Sequence, residues 1–316
     1  MPHRTGKPRF LVVRGGAIGD FLMTLPAIPV LRTRWPDAYI ECIGYPHVAT
    51  LALEGGVVDK VTSLDRADMA RFFSLRPAIT DEQRSFVQSF NVILSYLYDA
   101  DGTVRRNMLE SGAKRFVYGS PIVGGAHAIE HLLKPLAELA LFPEGGERPR
   151  LRLSDERRTA GGRRLTGASG RVVALHAGSG SPKKNWPPEK FLALAQAIRR
   201  VADFTPVFVA GEADAEVVEF LRGNAAAFPL LTGMTLLELA EVLSVCAGYV
   251  GNDSGVTHLA AALDIPVVAL FGPSDADLWS PRGPRVRIIR SAERSTQSLA
   301  AIEMAAVLAA VRELLV

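Results

Sequence analysis

Cysteine is scarce: Cys42 and Cys246 are the only two in 316 residues, and both lie in apolar, strand-like runs. Thiols so placed exclude a disulfide framework and a clustered-thiolate metal site, and are expected of a reduced, cytoplasmic protein. No run approaches about 18 uninterrupted apolar residues, so no segment is expected to span a membrane. The basic start MPHRTGKPRF leads into apolar FLVV, but Arg14 and Asp20 interrupt it too early for a signal peptide. Net charge is +3, too small to argue for a nucleic-acid partner. The dinucleotide fingerprint GxGxxG is also missing. Its place after the first apolar strand is taken by GGAIG, which makes a nicotinamide enzyme a distant reading.

What is present is ordinary globular material, 48% hydrophobic and 22% charged, in a chain long enough for two domains of about 150 residues. Short apolar runs alternate with helical patterns from the start. Phe10–Val13, Tyr39–Gly44, Val57–Leu64, Val92–Tyr96 and Arg115–Tyr118 read as strands, with one amphipathic helix spanning residues 21–35 despite two prolines. Further helices are expected over 69–73, 79–90 and 128–141. Phe142–Arg150 (FPEGGERPR) is a linker by composition. Alternation then restarts, with strands at 172–175, 206–209, 248–251 and 267–271. Helices are expected at 189–201, 214–221, 236–244, 257–263 and 299–315. The pattern predicts an α/β protein with parallel, doubly wound sheets, divided into residues 1–150 and 151–316, the final helix packing back on the first domain.

The polar residues of interest gather where strands end, the edge at which open α/β sheets bind ligands. Arg14-Gly15-Gly16-Ala17-Ile18-Gly19-Asp20 follows the first strand. Asp20 reads first as a helix cap and next as a carboxylate suited to general-base work, because a helix N-terminus favours the charged form. His176-Ala177-Gly178-Ser179-Gly180 follows another strand, with Lys183 and Lys184 close behind. Its N–H groups and either lysine suit a phosphate; the alternative is a flexible loop with solvated cations. Glu212 sits where a carboxylate meets ribose hydroxyls in nucleotide folds, or caps a helix. Asn252, Asp253, Ser254, Gly255, Thr257 and His258 form a turn and a helix start, readable as anion site or as caps. Arginines cluster at 105–115 and 148–171, and the former group suits an anionic ligand or a solvated face.

Taken in order, RGGAIGDFLMTLPAIPVLRTRWPDAYI, HAGSGSPKKNWPPEKF, VAGEADAE and GNDSGVTHLAAALDIPVVALFGPSD resemble the ADP-heptose:lipopolysaccharide heptosyltransferases, glycosyltransferase family 9. The likeness covers the first forty residues and most of 170–316, and is thin over 45–165. It implies a GT-B fold: two Rossmann-like domains facing across a cleft, acceptor in the first and nucleotide sugar in the second. It further implies an inverting transfer from an ADP-sugar without a metal or other cofactor. Asp20 would be the catalytic base and Lys184 would stabilise the departing diphosphate. Glu212 would hold the ribose, and Asp253 and His258 would contact the donor with His176, Gly178, Ser179, Lys183, Asn252, Ser254, Gly255 and Thr257. Gly16, Arg105 and Arg106 would meet an anionic glycolipid or glycan acceptor, with peripheral attachment at the inner face of the inner membrane. Gly15-Gly16 departs from the serine-containing turn usual in that family, which puts the pocket beside it in question. A sugar-nucleotide epimerase and a non-catalytic nucleotide-sugar binder are the competing expectations.

Overall fold

The computed structural model describes residues 6–201, 203–291 and 298–315. The chain divides into two compact units, Met1–Arg148 and Pro149–Val316. Among the described residues no helix is long and apolar enough to cross a membrane.

The first unit is built on β1 (Arg9–Val13), β2 (Tyr39–Gly44), β3 (Lys60–Ser63), β4 (Val92–Ser95) and β5 (Phe116–Tyr118), all parallel in the order β3-β2-β1-β4-β5. Every residue of β1 after Arg9 is buried, as expected of a strand covered on both faces. Chain order reverses between β1 and β4, so the carboxyl ends of those strands frame the topological switch point.

The second unit holds β6 (Arg171–His176), β7 (Phe204–Val209), β8 (Leu230–Leu231), β9 (Gly248–Asn252), β10 (Val267–Phe271) and β11 (Val286–Arg290). These run parallel in the order β11-β10-β9-β6-β7-β8, with the switch point between β6 and β9. The α/β doubly wound expectation therefore holds in both units.

Several local expectations change. The single helix over 21–35 is two, Ile18–Thr24 and Ala27–Arg34, because Pro26 has no N–H to continue the first. Pro29 is tolerated because it falls in the first turn of the second. The helix from Ala128 stops at Leu133 and continues as a 3₁₀ turn over Lys134–Leu139, again at a proline, Pro135. The helices Pro46–Glu54 and Thr103–Glu110 and the edge strand β11 went unread.

The final helix is Met304–Leu315. Its apolar face of Val307, Ala310, Val311 and Leu315 joins Trp186, Phe191 and Leu194 in the core of the second unit. It lies against helix Pro188–Arg199 and strands β9 and β10. Gly248 of β9 leaves the room for it, since a Cβ there would lie 2.6 Å from the Leu315 side chain.

Cys42 and Cys246 are both buried free thiols, and burial pushes each up to about 12. They are core residues, far from the thiolate form at neutral pH.

Adjacent glycines in helix Asp155–Arg164 give opposite predictions. A Cβ on Gly161 would lie 2.0 Å from the Glu241 carbonyl oxygen of helix Leu236–Leu243, whereas one on Gly162 meets nothing within 4 Å. Gly162→Ala should stabilise the protein by up to about 1 kcal/mol through helix propensity. Gly161→Ala gains the same propensity but forces the two helices apart, with a net loss of about 1–3 kcal/mol. Urea unfolding of the two variants checks both signs.

Candidate active site

In the first unit the strand ends enclose a cavity of about 600 Å³ lined by Arg14, Gly16, Asp20, Tyr45, Arg66 and Tyr98 among others. It opens at the switch point, where Arg14 follows β1 and Tyr96 follows β4. Arg14 is the residue that sequence reasoning passed over. A lone arginine ends an otherwise apolar strand, and that was the available signal. It is 4% exposed, and its Nη1 donates to the Tyr96 carbonyl at 3.1 Å while its Nη2 lies 3.3 Å from Asp20 Oδ1. Burial pulls the Arg14 guanidinium below its ordinary value, and the Asp20 carboxylate opposes that pull.

Asp20 is the third residue of helix Ile18–Thr24. Its Oδ2 accepts the N–H of Ala17, the residue preceding that helix, at 3.2 Å. The cap and the cavity-facing carboxylate are thus the same group: one oxygen closes the helix turn, the other meets Arg14, and the side chain keeps 34% of its exposure. Gly16 makes this possible. Its φ of +94° is a left-handed conformation, and a Cβ there would come within 3.2 Å of Asp20. Arg105 and Arg106 sit exposed on helix Thr103–Glu110 and are not among the residues lining the cavity; Arg66 is.

In the second unit most of the expected donor residues converge at the ends of β6, β7 and β9. Lys184 and Lys183 separate cleanly. Lys184 Nζ lies 2.7 Å from Asp253 Oδ2, and Lys183 is exposed. Asn252 is fully buried and its amide is committed to the fold. It donates to the Ala177 and Gly178 carbonyls at 3.0 and 3.1 Å and accepts from the Trp186 N–H at 3.0 Å. Ser179 likewise turns its hydroxyl onto its own loop, donating to the Ser181 carbonyl at 2.7 Å. Thr257 donates to the Asn252 carbonyl, and Ser254 caps helix Gly255–Ala262 by accepting the Thr257 N–H. His258 is buried in the first turn of that helix. Glu212 is exposed in the short turn Glu212–Asp214 that follows β7. Lys184, Ser254, Gly255 and Glu212 therefore retain surface for a ligand, while Asn252, Thr257 and Ser179 hold the loops that present it. Among the described residues no group of three or more His, Cys, Asp or Glu is placed to hold a metal.

Asp214 was read only as a helix start. It is buried, and its Oδ2 accepts from the Gly211 N–H at 2.7 Å and lies 3.0 Å from His176 Nε2. Burial alone would raise its carboxyl, but the hydrogen bond from His176 and the Gly211 N–H outweigh that and hold it below its ordinary value. A depressed folded-state value gives stability that is present above the unfolded value and lost as pH falls through the folded one. Stability tied to Asp214 should therefore disappear below about pH 3.8. Asp214→Asn should flatten the loss of urea stability on acidification in that range.

The family model for glycosyltransferase family 9 (heptosyltransferase) matches residues 102–305. Lipopolysaccharide heptosyltransferase 2 of Salmonella typhimurium is 38% identical over 114 residues, 34% of this chain and 33% of that protein, so the match spans about a third of that relative's length. Among solved structures, a family 9 glycosyltransferase from Veillonella parvula superposes with a TM-score of 0.83 at 20% identity, over 99% of this chain and 98% of that one. An E. coli heptosyltransferase with ADP-2-deoxy-2-fluoro heptose superposes at 0.69 with 20% identity, over 96% and 99%. Identities that low establish the fold alone, the GT-B fold expected above. With the family model covering well over half of its residues, the chain belongs to glycosyltransferase family 9.

Proposed function

We propose that the protein is an inverting glycosyltransferase. It moves heptose, or a related sugar, from an ADP-sugar to a hydroxyl of an anionic acceptor of the lipopolysaccharide-core type. The observation that carries the reading is the Asp20 carboxylate in the wall of the first unit's cavity, held by Arg14 and the Ala17 N–H. That is the setting a base needs to receive an acceptor hydroxyl proton. The names of the relatives and the ADP-sugar analogue in the E. coli structure support the substrate class.

In the proposed reaction the acceptor sits in the cavity with its hydroxyl against the free edge of Asp20. Arg14, Arg66 and the tyrosines offer an anionic glycan guanidinium groups and aromatic faces, beside the carboxylates of Asp20 and Asp65. As Asp20 takes the proton, the acceptor oxygen bonds to the anomeric carbon from the face opposite the diphosphate. The bond from that carbon to the phosphate oxygen breaks, and ADP leaves with both bonding electrons. Lys184 and the N-terminus of helix Gly255–Ala262 stabilise the charge that develops on the diphosphate, the work a divalent cation does elsewhere. Glu212 accepts from the ribose hydroxyls. The acceptor is membrane-borne, and the protein meets it at the cytoplasmic face of the membrane.

A thermal-shift panel of ADP, UDP and GDP, followed by turnover of ADP-heptose with truncated core acceptors, tests this. Stabilisation by ADP above the others and transfer to a hydroxyl are expected. Epimerised nucleotide sugar without transfer would support the epimerase instead, and binding without any turnover the non-catalytic binder.

A further inference from the structure

His176 was expected to contact the donor, yet it is 3% exposed and its two ring nitrogens both face protein groups. Nε2 lies 3.0 Å from Asp214 Oδ2, and Nδ1 lies a longer 3.5 Å from Ser254 Oγ. Asp214 Oδ2 also takes the Gly211 N–H, so this arm fixes the turn that presents Glu212 after β7. Ser254 caps helix Gly255–Ala262, and its Oγ lies 3.2 Å from Thr257 Oγ1, which donates to the Asn252 carbonyl and takes Tyr249 OH at 3.0 Å. His176 itself ends β6 and starts the Gly178 loop. That loop is seated on the same carboxylate: a Cβ on Gly178 would lie 1.8 Å from Asp214 Oδ1. One imidazole therefore joins the ends of three strands, and each end carries a different piece of the proposed nucleotide site.

We propose that His176 is a positioning residue that makes these three loops a single coupled element, with Nε2–H donating to Asp214 and Nδ1 accepting from Ser254. A buried network with every member partnered rigidifies its surroundings, and disturbing one arm is felt along the other. The consequence is that donor affinity depends on His176 and Asp214, both buried beneath the loops that meet the donor. Asp214 and Ser254 have no contact with each other among the described hydrogen bonds except through this ring. The shortest hydrogen-bonded route between them runs through His176. The inference builds on the reading that the second unit binds ADP.

The test is a double-mutant cycle on ADP affinity by calorimetry, using Asp214→Asn, Ser254→Ala and their combination, in the presence and absence of His176→Gln. Gln retains a donor near the Nε2 position but offers nothing at Nδ1. Each single variant should weaken ADP binding by about tenfold. The combined variant should be little worse than either alone, because cutting one arm already releases the coupled loops. In the His176→Gln background Ser254→Ala should cost almost nothing further. In Asp214→Asn, whose carboxylate is buried beneath the loops and meets no reacting atom, turnover at saturating donor should stay within about threefold of wild type. Losses that multiply in the combined variant overturn the coupling, as does a fall in kcat with unchanged ADP affinity. Should a variant fail to fold, the nitrogen chemical shifts of His176 in the ligand-free wild type decide. An Nε2–H tautomer is expected, and an Nδ1–H tautomer contradicts it. A wild type that does not bind ADP overturns the donor reading, and this inference with it.

Discussion

Asp20→Asn should lower kcat by roughly 10²- to 10⁴-fold, the range that a positioned acid or base contributes, and leave ADP affinity unchanged. The variant is chosen because it keeps the geometry. The Asn amide oxygen still accepts the Ala17 N–H that Oδ2 accepts at 3.2 Å, so the first turn of helix Ile18–Thr24 should survive. What is lost is the proton acceptor and the partner of Arg14 Nη2. A buried guanidinium without its carboxylate is costly, so some destabilisation should accompany the loss of turnover. Thermal unfolding measures that part separately. Full activity in folded Asp20→Asn would remove it as the base, and a non-catalytic binding protein predicts that no function changes at all.

The second large effect is expected at Lys184. Lys184→Gln should cost about 10²- to 10³-fold in kcat, comparable with removing one donor that stabilises transition-state charge. The neighbouring Asp253 sharpens the expectation. Lys184 Nζ is 2.7 Å from an Asp253 side chain that is only 10% exposed. Without the ammonium, that carboxylate faces the incoming diphosphate unneutralised, so ADP binding should weaken as well. Adding Asp253→Asn to Lys184→Gln should restore part of the ADP affinity and none of the turnover. Lys183→Gln is the matched control: its side chain is exposed, and screened surface charges of that kind change binding by no more than about fivefold. Steady-state kinetics and ADP titration of the three variants separate these outcomes.

Much of this was legible in the chain because buried parallel strands write themselves as short apolar runs. Tyr39–Gly44 and Val267–Phe271 stand in the structure with the bounds the sequence implies. The polar residues after such runs gather at one edge for the same reason, and so Asp20, Lys184 and residues 252–258 could be placed at strand ends. What could not be read is whether a polar side chain faces a ligand or holds the loop that does. Asn252 and Thr257 carry polarity suited to a ligand and spend it on backbone carbonyls across the switch point, contacts 75 and five residues apart in sequence. Arg14 and Asp214 escaped for the converse reason. Each takes its meaning from a distant partner, the Tyr96 carbonyl or His176, that no local pattern announces. The arginines at 105 and 106 show the limit of charge counting, since a basic run on an exposed helix says nothing of which cavity it reaches. Prolines accounted for the helix breaks at Pro26 and Pro135, where amphipathic spacing carried the eye past a missing N–H.

The most direct measurement of the central claim is a single-turnover transfer with ADP-heptose and a truncated core acceptor. The anomeric configuration of the product would be read by NMR, for the wild type and Asp20→Asn side by side. Product of inverted configuration from the wild type, formed with release of one ADP per sugar and suppressed in Asp20→Asn, is the predicted result. Retained configuration, or transfer that proceeds equally without the Asp20 carboxylate, would contradict it.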